Sequence, residues 1–161
     1  MGNDKLYKEI ENHVIENKEK FYRLAYSYVK NYDYALDIVH DSILKAFSSV
    51  DSLKNSEFIK TWFYRIVVNT SIDFLRKQKH TTIVDEETLL IYDTGKLDKY
   101  EDIDLKRALE DLPENYRIII ILRYFEDLKI DEIAEVLDEN VNTIKTRLYK
   151  SLEILRINMI D

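Results

Sequence analysis

Residues that interrupt helices are scarce in this chain. Its 161 residues include 2 glycines, 1 proline and no cysteine. A glycine inside a helix costs about 1 kcal/mol relative to alanine and a proline about 3 kcal/mol, so their scarcity leaves long stretches able to form helix. Because cysteine is absent, a disulfide framework and thiolate chemistry are excluded. The composition therefore predicts an all-α fold.

Apolar residues recur at helical spacing through residues 1–80. Two helices are predicted around residues 21–29 and 35–47, the second with Asp33 as its N-terminal cap. The polar stretch at 48–57 is predicted to be a loop. A longer helix should run from about Phe58 to Lys79, and residues 3–18 should add a helix at the N-terminus.

The helical periodicity fades after Thr81 and returns near Asp104. Residues 81–104 are therefore predicted to form a flexible acidic linker between a domain at 1–80 and a domain at 105–161. In the second domain, Pro113 should lie in the first turn of a helix and Glu114 should complete a capping box. Residues 118–125 are apolar enough to predict a buried helix.

The last third of the chain has the pattern of a helix-turn-helix. Residues 131–150 contain two short apolar-periodic segments joined by a turn at 138–140. If Ile144 and Leu148 face inward, the second helix presents side chains that suit base edges and phosphates in a major groove. These candidate DNA-binding residues are Asn142, Thr143, Lys145, Thr146, Arg147 and Lys150. The alternative is an ordinary amphipathic helix with solvated lysines.

The net charge of −7 argues at first against a nucleic-acid partner. The charge is unevenly distributed, however. Residues 81–104 carry 8 acidic and 2 basic side chains, a net charge of −6, whereas residues 1–80 carry 11 acidic and 13 basic side chains, a net charge of +2. The acidic balance therefore belongs mainly to the predicted linker, and the two predicted domains remain compatible with DNA.

Two helices of the first domain have polar faces with more than one interpretation. The helix at 58–79 combines aromatic residues with Asn69 and several cations, which suits single-stranded DNA, although Trp62 and Phe74 are more simply core residues. The helix at 35–47 would expose Asp37, His40, Asp41 and Lys45. A solvated helix face explains these four residues equally well.

The sequence does not support an enzyme. His13, His40 and His80 are far apart and have no metal-ligand spacing. Two glycines are too few for a phosphate-binding loop. No acidic residue is predicted to lie in an apolar setting that would shift its pKa. We therefore expect no metal, no cofactor and no small-molecule substrate.

The order and spacing of these motifs resemble the extracytoplasmic-function (ECF) sigma factors of bacterial RNA polymerase, members of the sigma-70 superfamily. The resemblance extends roughly from Phe21 to Arg156. Residues 37–47 look like region 2.2, with His40 where a glutamine is common, and residues 62–76 look like regions 2.3 and 2.4. The matches to region 4 are Leu112-Pro-Glu114, Leu122-Arg-Tyr-Phe125, Ile133-Ala-Glu135 and Thr143-Ile-Lys-Thr-Arg147.

The resemblance implies a role for each set of residues. The face with Asp37, His40, Asp41 and Lys45 would bind the clamp helices of the polymerase β′ subunit. The loop at 48–57 would hold a flipped base, and the helix-turn-helix residues would read the −35 element. The linker would run through basic polymerase channels, where its acidity is suitable. The −10 element would be bound by Arg65, Asn69, Thr70, Arg76, Lys77 and Lys79, with Asn69 on the non-template strand.

The resemblance also implies partners and a location. The partners would be RNA polymerase core, including its β flap, promoter DNA and an anti-sigma factor that is often membrane-anchored and often controls a stress response. The N-terminal residues lack the apolar run of a signal peptide, which predicts a cytoplasmic protein. The alternatives are a stand-alone helix-turn-helix regulator that binds operators without polymerase, and a helical protein that only sequesters a partner.

Overall fold

The computed structural model of this chain describes residues 2–81 and 103–160. These two ranges contain seven α-helices and no strand, so the predicted all-α fold is confirmed. The helices are α1 (Gly2–Val29), α2 (Tyr32–Ser48), α3 (Ile59–Thr81), α4 (Ile103–Asp111), α5 (Glu114–Ile120), α6 (Ile130–Leu137) and α7 (Val141–Ile160). The predicted acidic linker lies almost wholly outside the described residues.

Helix α1 joins two predicted helices into one element. The helices expected at 3–18 and 21–29 meet at Asn17, whose dihedral angles are non-helical (φ −118°, ψ 15°). The Asn17 amide donates a hydrogen bond to the carbonyl oxygen of His13 at 2.9 Å. Asparagine side chains compete in this way for backbone acceptors, which distorts a helix without ending it. The break in the sequence pattern therefore corresponds to a kink.

The N-terminal cap of α2 is Asn31, so the prediction of Asp33 is wrong. The Asn31 Oδ1 atom accepts a hydrogen bond from the Tyr34 N–H group at 2.9 Å. Lys30, which precedes it, adopts a left-handed conformation (φ 53°) and ends α1. Asp33 lies instead in the first turn of α2, where its negative charge still suits the positive end of the helix dipole.

The capping box predicted at Glu114 is also absent. Pro113 is the N-cap residue of α5 and has no side-chain acceptor, while Glu114 is the first helical residue. Asp111, three residues before Glu114, is the last residue of α4 and is therefore not available as a cap. The Glu132 carboxylate makes the equivalent bond at the start of α6, where it accepts from the Lys129 N–H group at 2.8 Å.

The buried helix predicted at 118–125 changes its form partway along. It is α-helical to Ile120 and continues as a π-helical turn over Ile121–Phe125. The turn closes with a bond of 3.0 Å from the Glu126 N–H group to the Ile121 carbonyl oxygen. Such wider turns are rare and shift the direction of the side chains that follow. Here the Glu126 side chain is buried.

The two described ranges share one contiguous core. Helices α1, α2 and α3 pack around Phe21, Leu24 and Phe63, and helices α4 to α7 pack around Ile119 and Ile133. Helix α6 also lies against α3, and α5 lies against α1. Residues 2–81 are called below the first half, and residues 103–160 the second half.

Candidate nucleic-acid interface

Helices α6 and α7 form the helix-turn-helix indicated by the sequence. Asp138 ends α6 in a left-handed conformation (φ 55°, ψ 50°), which aspartate tolerates better than most residues. The Asn140 side chain then accepts from the Asn142 N–H group at 2.7 Å and starts α7. Ile144 and Leu148 are buried, as the predicted DNA-reading orientation requires. Helix α7 continues to Ile160, beyond the predicted segment.

The predicted DNA-binding side chains of α7 lie away from the core. Asn142, Lys145, Thr146 and Lys150 are exposed, and Thr143 and Arg147 are half-buried. The Thr146 hydroxyl donates to the Asn142 carbonyl oxygen at 2.9 Å, which orients its methyl group and hydroxyl. The Arg147 guanidinium lies 3.5 Å from the Glu139 carboxylate in the turn. Glu139 has no role predicted from the sequence, although its position in the turn brings it close to α7.

Helix α3 presents a second polar face. Arg65, Asn69 and Arg76 are all exposed, and their spacing of four and seven residues puts them on one side of the helix. Ile72 lies between them on the same side and is 38% exposed. Lys77 and Lys79 are exposed near the end of the helix. The structure thus brings five of the six predicted −10 residues to the surface of α3.

Thr70 is the sixth predicted −10 residue, and it differs from the others because it is buried. Its hydroxyl accepts a hydrogen bond from the Lys45 ammonium group at 3.3 Å. Lys45 belongs to the predicted polymerase-binding face of α2 and also lies 3.5 Å from Asp41. In this arrangement Thr70 links α3 to α2 and does not face solvent.

The connection between α2 and α3 is more ordered than the predicted loop. It contains two 3₁₀ turns, Val50–Ser52 and Ser56–Phe58, and Val50 and Leu53 anchor it in the core. The Trp62 side chain at the start of α3 is half-buried against this core, as is Phe74 later in the helix. Phe58 is 50% exposed beside the connection. Aromatic and polar side chains therefore border a small surface at the start of α3.

The predicted polymerase-binding face of α2 is exposed at Asp37, His40 and Asp41, while Lys45 is half-buried. Two leucines that the sequence analysis did not single out lie close to these residues. Leu44 is 69% exposed and Leu36 is 39% exposed. Leu44 follows His40 by four residues, so the two side chains are neighbours on the helix surface. This face of α2 therefore combines two exposed leucines with the predicted charged residues.

A buried acidic residue contradicts the prediction that no carboxylate has a shifted pKa. Glu126 is 1% exposed. Burial raises its pKa above the ordinary value, and the nearby Arg23 guanidinium and Tyr64 hydroxyl oppose this rise. No local sequence pattern predicts the burial of Glu126, because its environment is formed by α1 and α3, which are distant along the chain.

Comparisons with known proteins agree with these features. Residues 14–81 match the family model described as Sigma-70 region 2, and residues 102–155 match the model described as Sigma-70, region 4. RNA polymerase sigma factor SigV of Bacillus subtilis is 57% identical over 146 residues, which cover 91% of this chain and 88% of the relative. ECF RNA polymerase sigma factor SigW of the same organism is 33% identical over 159 residues, which cover 89% and 85%.

Two solved structures have a similar fold. The sigma factor RpoE in complex with the anti-sigma factor NepR, from Bartonella quintana, matches with a TM-score of 0.78 and 22% identity over 94% of this chain and 97% of that chain. CnrH in complex with the cytosolic domain of CnrY matches with a TM-score of 0.66 and 17% identity over 93% and 86%. With its two family-model matches and its close relatives, the chain belongs to the ECF sigma factors of the sigma-70 family.

Proposed function

We propose that this ECF sigma factor directs RNA polymerase core to promoters by binding the −10 element with α3 and the −35 element with α7. The observation that carries this proposal is the pair of exposed polar and basic helix faces, one in each half of the chain. The match to Sigma-70 region 2 includes α3, and the match to region 4 includes most of α7. We accordingly treat residues 1–80 and 105–161 as two functional domains and residues 81–104 as their linker.

At the −10 element, Arg65, Asn69 and Arg76 would contact the separated strands, with Lys77 and Lys79 on nearby phosphates. Single-stranded DNA is bound by cations that follow the backbone and by aromatic rings on which bases stack. Phe58 and Trp62 supply such rings beside the α2–α3 connection, where a base that leaves the stack could be held. Thr70 would act indirectly, by orienting Lys45.

At the −35 element, Asn142, Thr143, Lys145, Thr146, Arg147 and Lys150 would read duplex DNA from the N-terminal turns of α7. A recognition helix contacts base edges with the side chains of these turns while the other helix of the motif crosses the backbone. Arg147 suits a guanine or a phosphate, and Lys145 and Lys150 suit phosphates. The inward positions of Ile144 and Leu148 support this orientation.

Polymerase would be bound by α2, through Asp37, His40, Asp41 and Lys45 on the β′ clamp helices. The exposed Leu44 adds an apolar contact to this face. The second half would contact the β flap. Because the fold resembles that of the sigma factor RpoE solved with the anti-sigma factor NepR, we also propose that an anti-sigma factor holds this protein in the cytoplasm, or at the membrane if that partner is anchored there, until a stress signal releases it. None of the described helices is long and apolar enough to cross a membrane.

The test is transcription with purified polymerase core on fragmented genomic DNA, followed by sequencing of the transcript starts. The protein should produce starts that share −10 and −35 sequences, and Asn69→Ala and Arg147→Ala should each reduce these starts strongly. Lys18→Ala, on an exposed position of α1, is the matched control. Unchanged transcription with both variants would favour a protein that only sequesters a partner.

A stand-alone regulator is the other alternative. It would bind its operator tightly without polymerase in a gel-shift assay at about 150 mM salt, where charges on an exposed surface are screened beyond about 8 Å. We expect negligible specific binding by the isolated protein, because its net charge of −7 opposes approach to DNA. Tight binding in that assay would replace the proposed function with operator binding.

A further inference from the structure

The two halves of the protein meet across a buried seam that contains two guanidinium groups pointing in opposite directions. Arg23 of α1 donates to the Phe125 carbonyl oxygen at 3.1 Å and to the Glu126 carboxylate at 3.0 Å. Arg117 of α5 donates to the Ser27 carbonyl oxygen through its Nη2 atom at 2.8 Å and its Nε atom at 3.2 Å. Each half therefore extends one cation into the other.

The contact between the two halves includes one buried ionised side chain, Glu126, which is paired with a cation. Its side chain has no solvent exposure, and its two oxygens are bound from different helices. Arg23 of α1 binds Oε1, and the Tyr64 hydroxyl of α3 donates to Oε2 at 2.8 Å. A buried carboxylate that loses its cation is strongly unfavourable, because neither water nor a counter-charge then compensates for its burial. The seam therefore requires Arg23 while Glu126 is ionised.

Arg23 contributes mainly to the seam and little to the first half itself. Its hydrogen bonds and its ion pair go to Phe125 and Glu126, and its guanidinium carbon lies 5.3 Å from the centre of the Phe125 ring. Its Nε atom is buried without a hydrogen-bond partner among the described residues. If the halves separated, Arg23 would become a solvated residue on the surface of α1. Replacing it should therefore affect the seam more than the fold of the first half.

The packed halves are too compact to reach both promoter elements. The −10 and −35 elements lie about 25 base pairs apart, or about 85 Å at roughly 3.4 Å per base pair. A compact chain of 161 residues has a radius of gyration of about 15 Å. The α3 and α7 faces are both exposed while the halves are packed, but they cannot contact both elements of one DNA molecule. The halves must separate before a promoter is bound at both elements.

We propose that Arg23 and Glu126 form a lock that holds the free protein in this closed arrangement. Tyr64 and Arg117 support the lock from α3 and α5. The consequence for promoters rests on the proposed function, whereas the lock is a property of the free chain. When the chain opens, the Arg23 and Glu126 side chains are exposed to water, which solvates each charge without an ion-pair partner.

The lock can be tested by measuring the distance between the halves in the free protein. Because the chain has no cysteine, Lys18→Cys and Glu153→Cys introduce a unique pair of spin-label sites, both at exposed positions. Arg23→Met should increase the ratio of open to closed protein at least tenfold, because it removes the ion-pair partner of the buried Glu126. Arg156→Met removes the same charge from an exposed position of α7 and should leave the distance distribution unchanged.

A second substitution separates the lock from general damage to the fold. Adding Glu126→Gln to Arg23→Met should restore the closed distance, because a neutral amide needs no cation and still accepts a bond from Tyr64. If Arg23→Met alone loses its helical circular dichroism, Tyr64→Phe, which removes only a hydroxyl, must increase the open population. The proposal is overturned if Arg23→Met keeps the closed distance, or if adding Glu126→Gln to Arg23→Met fails to restore that distance. Where Arg23→Met is unfolded, it is overturned if Tyr64→Phe leaves the closed distance unchanged.

These distance measurements use neither polymerase nor DNA, so they do not depend on the proposed function. Transcription by the same variants is measured separately. In one outcome, Arg23→Met opens the protein, but neither this variant nor the parent starts promoter-specific transcripts with a polymerase core of proven activity. That result would disprove the proposed function and leave the lock supported. A parent protein that initiates correctly, with distances unaffected by Arg23→Met, would do the reverse.

Discussion

The indole nitrogen of Trp62 donates a hydrogen bond to the Ser52 hydroxyl at 3.0 Å. This bond joins the first 3₁₀ turn of the α2–α3 connection to the start of α3. The connection is therefore held against the helix that we propose to contact the −10 element. A rigid connection suits a site that must hold a single extruded base, because its conformational entropy is lost when the protein folds and not when the base binds.

The first prediction concerns this bond. Ser52→Ala removes the acceptor for Trp62 and should reduce the free energy of unfolding by about 1 kcal/mol or less, because the bond is exposed to solvent. The effect on promoter melting should be larger than this small loss of stability, because the α2–α3 connection beside the proposed base site is no longer held against α3. Urea unfolding and the reactivity of unpaired thymines at the −10 element measure the two effects. Ser56→Ala, at an exposed position of the same connection, is the control, and equal melting by both variants would contradict the prediction.

The second prediction concerns the pH dependence of stability. The His13 ring packs against the rings of Phe21 and Phe63, at centroid distances of 5.5 and 6.3 Å. Burial lowers the pKa of His13 below its ordinary value of 6.5, with Lys60 and Lys20 acting in the same direction and Glu16 opposing them. The folded protein thus binds this proton less readily than the unfolded chain does. The stabilisation is complete above pH 6.5 and is lost as the pH falls below 6.5 toward the lowered pKa.

Urea unfolding at pH 7.5 and pH 5.5 measures this loss, and His13→Leu should reduce it. His40 is exposed on α2, so His40→Gln is the matched histidine control and should retain the pH dependence of the parent protein. A His13→Leu variant that keeps the full pH dependence of the parent protein would contradict the assignment to His13.

The contrast between Phe63 and Glu126 explains what the sequence could predict. Phe63 belongs to an apolar stripe with helical spacing, and it is fully buried as that spacing predicts. Periodicity of this kind also predicted the bounds of α3 to within two residues. The inward positions of Ile144 and Leu148 were the condition for the DNA-reading orientation of α7, and the structure meets it. Helical periodicity reports which side of a helix faces a core, and it holds wherever one helix face is apolar.

Glu126 and Thr70 could not be placed in this way. The partners of Glu126, Arg23 and Tyr64, are 103 and 62 residues away along the chain, so no local pattern identifies them. Thr70 lies beside the exposed Asn69 but is turned toward Lys45. The π-helical turn over Ile121–Phe125 has the same cause, because tertiary packing and not helical propensity decides how a short apolar run ends.

The third prediction concerns Arg117. Its guanidinium is buried and donates to the Ser27 carbonyl oxygen across the seam and to the Leu112 carbonyl oxygen at 3.0 Å within the second half. Arg117→Met leaves both carbonyl groups buried without these donors, which should cost about 1–3 kcal/mol for each group that stays unpaired. Urea unfolding measures the loss. Arg107→Met, at an exposed position of α4, should cost less than about 0.5 kcal/mol, and similar losses for the two variants would contradict this role.

The fourth prediction concerns the ion pair between Arg147 and Glu139. The two groups are 3.5 Å apart, and both are partly exposed, at 29% and 39%. Exposed pairs contribute up to about 1 kcal/mol, so Glu139→Gln should leave the fold intact while it frees Arg147 and removes a negative charge from the proposed DNA surface. The holoenzyme with Glu139→Gln should then lose less transcription than the parent holoenzyme when the −35 element is substituted. This difference between the two holoenzymes should shrink as salt rises from about 50 to 200 mM.

Glu135→Gln separates the two effects of that substitution. Glu135 is exposed on α6, so its replacement removes the same charge from the helix-turn-helix without releasing Arg147. If Arg147 is held by Glu139, only Glu139→Gln should change the dependence on the −35 sequence, and Arg147→Ala should abolish the difference between Glu139→Gln and the parent. Equal effects of Glu135→Gln and Glu139→Gln would mean that net charge alone acts there, and that Glu139 does not restrain Arg147.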